Sequence, residues 1–319
     1  MSVYTRVERD ELETFLARFD TGALIDYEGI RAGIENTNYF VDTEGGRYVL
    51  TLFESLGDEE LPFFLGLMAH LAERGVPTAH PLANLQGDYL EHLKGKPAAL
   101  VCRLTGRSVD HPLPGHCQAI GESLARMHNA GGDYAGQRDN DRGPHWWQRT
   151  SQLLDGHLDP AQRRLLDDEL AFQHAHRDDR LPRGIVHADL FRDNALFEGE
   201  RLTGIIDLYY ACRDVLLYDV AVTVNDWCSQ TGGELDTERA AALLAAYARV
   251  RPFTEAEHAA WPVMLRAAAL RFWLSRLKDQ HFPREGELTH IKDPGEFRRI
   301  LERRIAETGT AYTLERLAA

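Results

Sequence analysis

No apolar run in this 319-residue chain approaches the roughly 18–20 residues that a bilayer-spanning helix needs, so no membrane partner is expected. Cysteine is scarce as well. Cys102, Cys117, Cys212 and Cys228 lie far apart, at no zinc-knuckle spacing, and are too sparse for a disulfide framework in so large a chain. Basic residues are outnumbered, 36 Lys and Arg against 50 Asp and Glu, for a formal net charge of -14. Such a surface repels nucleic acid and anionic lipid, and no basic stripe carries interleaved aromatics, so no nucleic-acid partner is expected either. The deficit does not exclude a nucleoside triphosphate, whose charge a local metal site can neutralise. Internal repeats and low-complexity tracts are missing too. The opening MSVYTRVERDELETF is charged from its start, without an apolar targeting segment; with the scattered cysteines this predicts a reduced, cytoplasmic setting.

What is present changes character along the chain. GALIDYEGIRAGIENTNYFVDT and GGRYVLTLFE read as strands joined at Gly45–Gly46, a turn-forming pair, with Tyr48, Thr51 and Phe53 as β-favouring side chains. DEELPFFLGLMAHLAERG then has an acidic start, Pro62 near its first turn and Gly75 at its end, the punctuation of a helix. PTAHPLANLQGDYLEHLKGKPAALVCRL returns to strands around Gly87 and Gly95. From about residue 104 the period becomes helical: Ile120, Leu124 and Met127–His128 share one stripe that ends at Gly131–Gly132. AQRRLLDDELAFQHAHRD, DVAVTVNDWC, TERAAALLAAYARV and EAEHAAWPVMLRAAALRFWLSRL follow as further helices. The predicted fold is α+β and bilobal. A small antiparallel-sheet lobe covers residues 1–103, and a larger helical lobe covers 104–319 with one embedded hairpin.

That hairpin carries the chemistry. Ile185-Val186-His187 reads as a short strand, residues 188–193 as a loop, and Asn194 opens the next strand. Thirteen residues beyond Asn194, Ile205-Ile206-Asp207 puts an acid at the end of an apolar strand. Phosphoryl transfer needs a carboxylate beside the acceptor hydroxyl, to orient it and take its proton. It also needs an amide oxygen and a second carboxylate to hold magnesium on the triphosphate. Asp189 fits the first role; Asn194 and Asp207 fit the second. His187 reads as a brace of the loop rather than an acid or base. Arg192, inside the loop, either touches phosphate or stands in solvent.

VHADLFRDN followed by IIDLYYACRDVLLYDVA resembles the aminoglycoside phosphotransferase and choline kinase superfamily, a bilobal protein-kinase-like fold acting on small hydroxyl compounds. Three further stretches, MSVYTRVERDELETFLARFD, GIRAGIENTNYFVDTEGGRYVLTLFE and LRFWLSRLKDQHFPREGELTHIKDPGEF, are similar to the bacterial homoserine kinases of that type, so the resemblance spans nearly the whole chain. It implies ATP and Mg2+ as cofactors and L-homoserine as acceptor, the γ-phosphoryl group passing to the side-chain oxygen in a step toward threonine. It implies too that Asp219 accepts hydrogen bonds from the catalytic-loop backbone. Glu35-Asn36-Thr37-Asn38 would turn over the phosphates, and Val101-Cys102-Arg103-Leu104 would pass the adenine edge.

The pattern also departs from kinases at large. They place a lysine on the third strand and a glutamate on the next helix, whereas here the register puts Thr51 and Phe64 at those positions. Losing both is coherent, because either charge buried without the other would be costly. Metal ions and backbone amides around Gly33–Asn38 remain to neutralise phosphate. Gly33, Asn36, Thr37, Asn38, Thr51, Val101 and Arg103 are thus the candidate nucleotide contacts. For the acceptor, the helices after residue 220 offer Asp226 and Arg271, the latter in an otherwise apolar stretch. A buried salt bridge explains Arg271 equally well. The rival readings are a kinase of the same fold acting on an aminoglycoside, methylthioribose, choline or protein serine, and a catalytically dead nucleotide-binding module. Retention of Asp189, Asn194 and Asp207 speaks against the last.

Overall fold

Strand alternation builds the first lobe. A helix α1 (Arg9–Leu16) leads into β1 (Leu24–Gly29), β2 (Asn36–Thr43) and β3 (Gly46–Phe53). Helix α2 (Leu61–Glu73), β4 (Glu91–Leu93) and β5 (Lys96–Cys102) complete it. The structure, a computed structural model, describes residues 5–30, 36–283, 292–307 and 313–318. All neighbouring strands pair antiparallel, in the spatial order β1-β2-β3-β5-β4. Successive side chains point to opposite faces, so Leu50, Leu52, Ala98 and Leu100 pack on Leu12, Phe15 and Leu16 of α1. Ala99 and Val101 face the other way, into the core shared with Leu65 and Met68 of α2. α2 keeps the punctuation read from its sequence: Pro62 lies in its first turn and Gly75, at φ +78°, follows its end. α1 went unread in the sequence. Its apolar stripe is short, and the acidic residues around it, including the Glu8–Glu11 capping box, mask the period.

The second lobe is mainly helical. It contains α3 (Pro114–Ala130), α4 (Pro144–Leu153) and α5 (Pro160–Ala175), then β6 (Arg183–Val186), β7 (Ala195–Glu198), β8 (Arg201–Ile205) and β9 (Cys212–Val215). Helices α6 (Leu216–Trp227), α7 (Thr237–Val250), α8 (Glu255–His281), α9 (Pro294–Ala306) and α10 (Leu314–Leu317) follow. The single hairpin expected from the sequence is two strand pairs. β7 pairs with β8, but β6 pairs with β9, and Asn194 lies in a short turn ahead of β7 rather than opening it. The buried strand Gly184-Ile185-Val186 needs a hydrogen-bonding neighbour, and β9 supplies it. One core cluster runs from α2 through the β6–β9 region to α6 and α8, whose Trp227, Trp261 and Trp273 are fully buried. Among the described residues no helix is long and apolar enough to cross a membrane, and the four cysteines are unpaired.

Candidate active site

A cavity of about 770 Å³ opens between the sheet and the helical lobe. Val49 and Val101 line it from the sheet, and Leu196 and Ile206 from the other lobe. Asp189, Asn194, Asp207 and Arg271 all reach it.

The loop carrying Asp189 is held from below. Ala188 has a left-handed backbone, φ +64°, which a non-glycine residue keeps only when its surroundings impose it. Asp219, in the first turn of α6, accepts the backbone N–H groups of His187 at 2.7 Å and Ala188 at 2.8 Å. The same carboxylate lies 3.0 Å from His128 Nε2. Burial alone would push its pKa up, but the hydrogen bond and charge of His128 hold it below the usual carboxylate range. His187 is buried and spans the site: the Asp189 N–H donates to Nδ1 at 3.3 Å, and Nε2 lies 3.0 Å from the Ile206 carbonyl. With both nitrogens engaged, it ties the loop to the strand end that carries Asp207.

Arg192 turns away from the cavity. Its N–H, Nε and terminal nitrogen reach Asp226 at 2.8, 3.0 and 3.3 Å. Asp226 is therefore not brought to the cavity as an acceptor ligand: its buried carboxylate is met by a guanidinium and an amide, which oppose the rise in pKa that burial causes. One signal was present in the sequence, since Asp219 and Asp226 are seven residues apart and share a face of α6. Trp227 adds a hydrogen bond from its indole to the Leu190 carbonyl, 3.0 Å.

At the polar centre, Asn194 donates from Nδ2 to the Asp189 carbonyl at 2.8 Å and to its Oδ2 at 3.2 Å. That leaves Asn194 Oδ1 as the atom able to accept. Asp207 follows β8 with a left-handed backbone, φ +61°, and its side chain is exposed to the cavity. Among the described residues no group of three or more His, Cys, Asp or Glu gathers as a metal cage. A hard ion such as Mg2+, which keeps waters and takes one or two protein oxygens plus phosphate oxygens, suits an amide oxygen beside one carboxylate. Asp189 touches that pair through the Asn194 amide nitrogen, and its other carboxylate oxygen faces a cation. Its Oδ1 is 3.3 Å from Arg271, whose Nε has no hydrogen-bond partner among the described residues. Burial raises the Asp189 pKa above the usual carboxylate range, and Arg271 opposes the rise.

The nucleotide contacts expected from the sequence divide. Gly33 and Glu35 lie outside the described residues. Asn36 and Asn38 line the cavity, whereas Thr37 does not. Residues 36–38 belong to β2 rather than to a turn, and alternation sends Thr37 to the opposite face. There its hydroxyl donates to Glu54 at 2.7 Å and accepts the Thr5 N–H at 3.0 Å. Thr51 faces the cavity and donates to Asn38 Oδ1 at 2.7 Å. Tyr209, two residues past Asp207, hydrogen-bonds with Thr51 and packs edge-on against Phe64 and Phe53, with ring centroids 5.8 and 5.2 Å apart. An aromatic cluster thus packs around Thr51 and Phe64, the two positions that the sequence register put in place of the lysine and glutamate. Tyr209 was missed in the sequence; its signal was an aromatic two positions after the metal-type aspartate. Val101 and Arg103 line the cavity, but the Arg103 N–H is used on the Arg47 carbonyl at 3.0 Å and that of Cys102 on His80 at 2.9 Å.

Comparisons with known proteins agree with this arrangement. Residues 26–253 match the phosphotransferase enzyme family. The chain is 55% identical over 306 residues to the homoserine kinase of Methylobacillus flagellatus, with 96% of each chain covered. It is 53% identical over 314 residues to that of Methylobacillus glycogenes, with 98% of this chain and 99% of the relative covered. Among solved structures, an amicoumacin kinase bound to AMP-PNP and Ca2+ has TM-score 0.72 at 16% identity, with 98% and 97% of the chains covered. A spectinomycin phosphotransferase bound to ADP and spectinomycin has TM-score 0.69 at 13% identity, with 98% of both covered. At such low identity those two show the shared fold. Because the family match takes in both the sheet and the whole Asp189–Asp207 segment, and relatives more than half identical run end to end, the chain belongs to the phosphotransferase enzyme family.

Proposed function

We propose that this protein transfers the γ-phosphoryl group of ATP to the side-chain hydroxyl of L-homoserine. Convergence of Asp189, Asn194 and Asp207 on one cavity carries the reaction class. The acceptor is supported by end-to-end identity of 55% to a homoserine kinase. In the reaction, the hydroxyl oxygen bonds to the γ-phosphorus while the bond to the β–γ bridging oxygen breaks. ADP leaves, and the hydroxyl proton goes to Asp189.

The roles are divided among this chain's own groups. Asp189 orients the hydroxyl and accepts its proton; Arg271 beside it opposes the burial that favours the protonated form. Asn194 and Asp207 would hold Mg2+, which neutralises charge on the phosphates when bound. The base and the metal ligand must differ, because a carboxylate on a metal is a poor proton acceptor. Asn38, fixed by Thr51, offers a neutral amide to phosphate where a lysine would otherwise stand. Val49 and Val101 above, with Leu196 and Ile206 below, form an apolar slot for adenine. With the amides of Cys102 and Arg103 already used, the edge of the base falls to Leu104 and to connector carbonyls. Chemistry on a free amino acid with ATP fits a cytoplasmic location.

The test is ADP release at saturating Mg2+–ATP with homoserine, serine, choline, methylthioribose and kanamycin. Homoserine is expected to exceed each of the others by orders of magnitude in kcat/KM. Faster turnover of any other alcohol would replace the acceptor while leaving the kinase assignment standing.

A further inference from the structure

The cavity contains a second arginine with no role so far. Arg142, just ahead of the Gly143 cap of α4, lines the same cavity as Asp189 and Arg271. Its guanidinium lies 4.8 Å from the centre of the Trp146 ring and 5.7 Å from that of Tyr210. Arg271 lies 5.3 Å from the same Tyr210 ring, so two guanidinium groups share one tyrosine.

The two arginines differ in counter-charge. Arg271 faces Asp189 at 3.3 Å. Among the described residues no carboxylate pairs with Arg142, whose charge rests against aromatic faces. Other cations line this cavity with carboxylates beside them: Lys292 pairs with Asp193 at 2.8 Å, Arg276 with Glu296 at 2.5 Å, and Arg103 lies 3.7 Å from Asp42.

Arg142 is also held in place from behind. Its N–H donates to Asn140 Oδ1 at 2.8 Å, and Asn140 Nδ2 donates to Asp214 of β9 at 2.7 Å. The Arg213 N–H of β9 reaches the Arg138 carbonyl at 2.8 Å. β9 pairs with β6, the strand that runs into the Asp189 loop, so the segment carrying Arg142 is built onto the same support as Asp189. The first amides of α4 receive no side-chain cap, which adds partial positive charge beside Arg142. A planar guanidinium set near two aromatic rings, pre-positioned and without a paired carboxylate among the described residues, suits forked recognition of a carboxylate or phosphate.

We propose that Arg142 anchors the α-carboxylate of the acceptor and thereby sets its side-chain hydroxyl on Asp189, while Arg271 stays with Asp189. This rests on the homoserine assignment and deepens it. The acceptor is favoured over the nucleotide because Arg142 shares Tyr210 with the arginine that pairs with the proton-accepting group.

The experiment compares L-homoserine with L-homoserinamide, which keeps the hydroxyl and the ammonium but lacks the carboxylate charge. Wild type is expected to prefer homoserine by about ten- to hundred-fold in kcat/KM, the range of a charge-assisted forked contact. R142Q should lose that preference, raising KM for homoserine while KM for ATP stays unchanged. R142K should fall between, since a point charge replaces a fork. Equal use of both compounds by wild type overturns the anchor whatever the variants do. So does a preference that survives in R142Q, or a rise in KM for ATP, which would assign Arg142 to phosphate. A wild type inactive on both compounds but active on another alcohol would remove the homoserine assignment, and the anchor with it.

Discussion

Asp189 combines two opposing influences in one side chain. Burial favours its protonated form, and Arg271 at 3.3 Å favours the charged form needed to take a proton. The acid limb of kcat/KM against pH should therefore lie above the ordinary carboxylate value of about 3.9. Arg271→Leu removes the guanidinium in direct contact that opposes the rise, so the limb should move to higher pH and activity near neutrality should fall. An unmoved limb would mean that Arg271 does not act through Asp189. Thr51 gives a milder case. It carries no charge, and Thr51→Ala removes its neutral hydrogen bonds to Asn38 and Tyr209, of which the one fixing Asn38 bears on the nucleotide, so KM for ATP should rise by only about fivefold, on the order of 1 kcal/mol. A loss comparable to that of a catalytic carboxylate would show that the strand register had been misread. At this scale the sequence exposed the chemistry-bearing residues through their spacing, but not their partners. Arg271 with Asp189 and Arg192 with Asp226 join residues 82 and 34 positions apart, which no local pattern encodes. Thr37 is different: strand alternation was legible and would have turned it away from the nucleotide.

The Asp189 loop depends on α6 at its back. Asp219 satisfies two buried amides that the left-handed turn at Ala188 leaves without strand partners. Asp219→Ala should lower stability by about 3–5 kcal/mol, the usual consequence of breaking a buried charged network, and should lower turnover through the loop. Urea denaturation measures the first effect. The pH dependence has a definite sign. A carboxyl with a depressed folded pKa stabilises the protein above its unfolded value and loses that contribution as pH falls through the folded value. The gap between wild type and Asp219→Ala should thus be full near neutrality and narrow in acid below the ordinary carboxylate range. A constant gap would place the effect elsewhere. Elements with strong internal periods were legible in advance, among them α2, α3, α7 and α8. β9 was not, because Cys-Arg-Asp-Val becomes a strand only by pairing with β6, and α1 needed the sheet face that completes its core.

Across the whole molecule, a sheet and a helical lobe enclose one cavity, and each wall contributes a different kind of group. The sheet brings apolar side chains, Asn38 and Thr51; the helical lobe brings Asp189, Asn194, Asp207 and the two arginines. The bilobal architecture followed from the switch of period near residue 104, and the triad of site residues from the His-x-Asp-x-x-x-x-Asn spacing. The aromatic cluster of Phe53, Phe64 and Tyr209 could be inferred only in part, since the sequence showed the missing ion pair but not what replaces it. In the proposed reading, separation of proton transfer from metal binding is the feature that distinguishes a kinase from a nucleotide-holding module. Turnover and Mg2+–ATP affinity measured together on Asp189→Asn test it most directly. The expected result is wild-type affinity for Mg2+–ATP with kcat for homoserine lowered by roughly 10²–10⁴-fold, because the nucleotide contacts survive while the proton acceptor is lost. Near-normal turnover, or loss of Mg2+–ATP binding in step with turnover, would contradict the assignment.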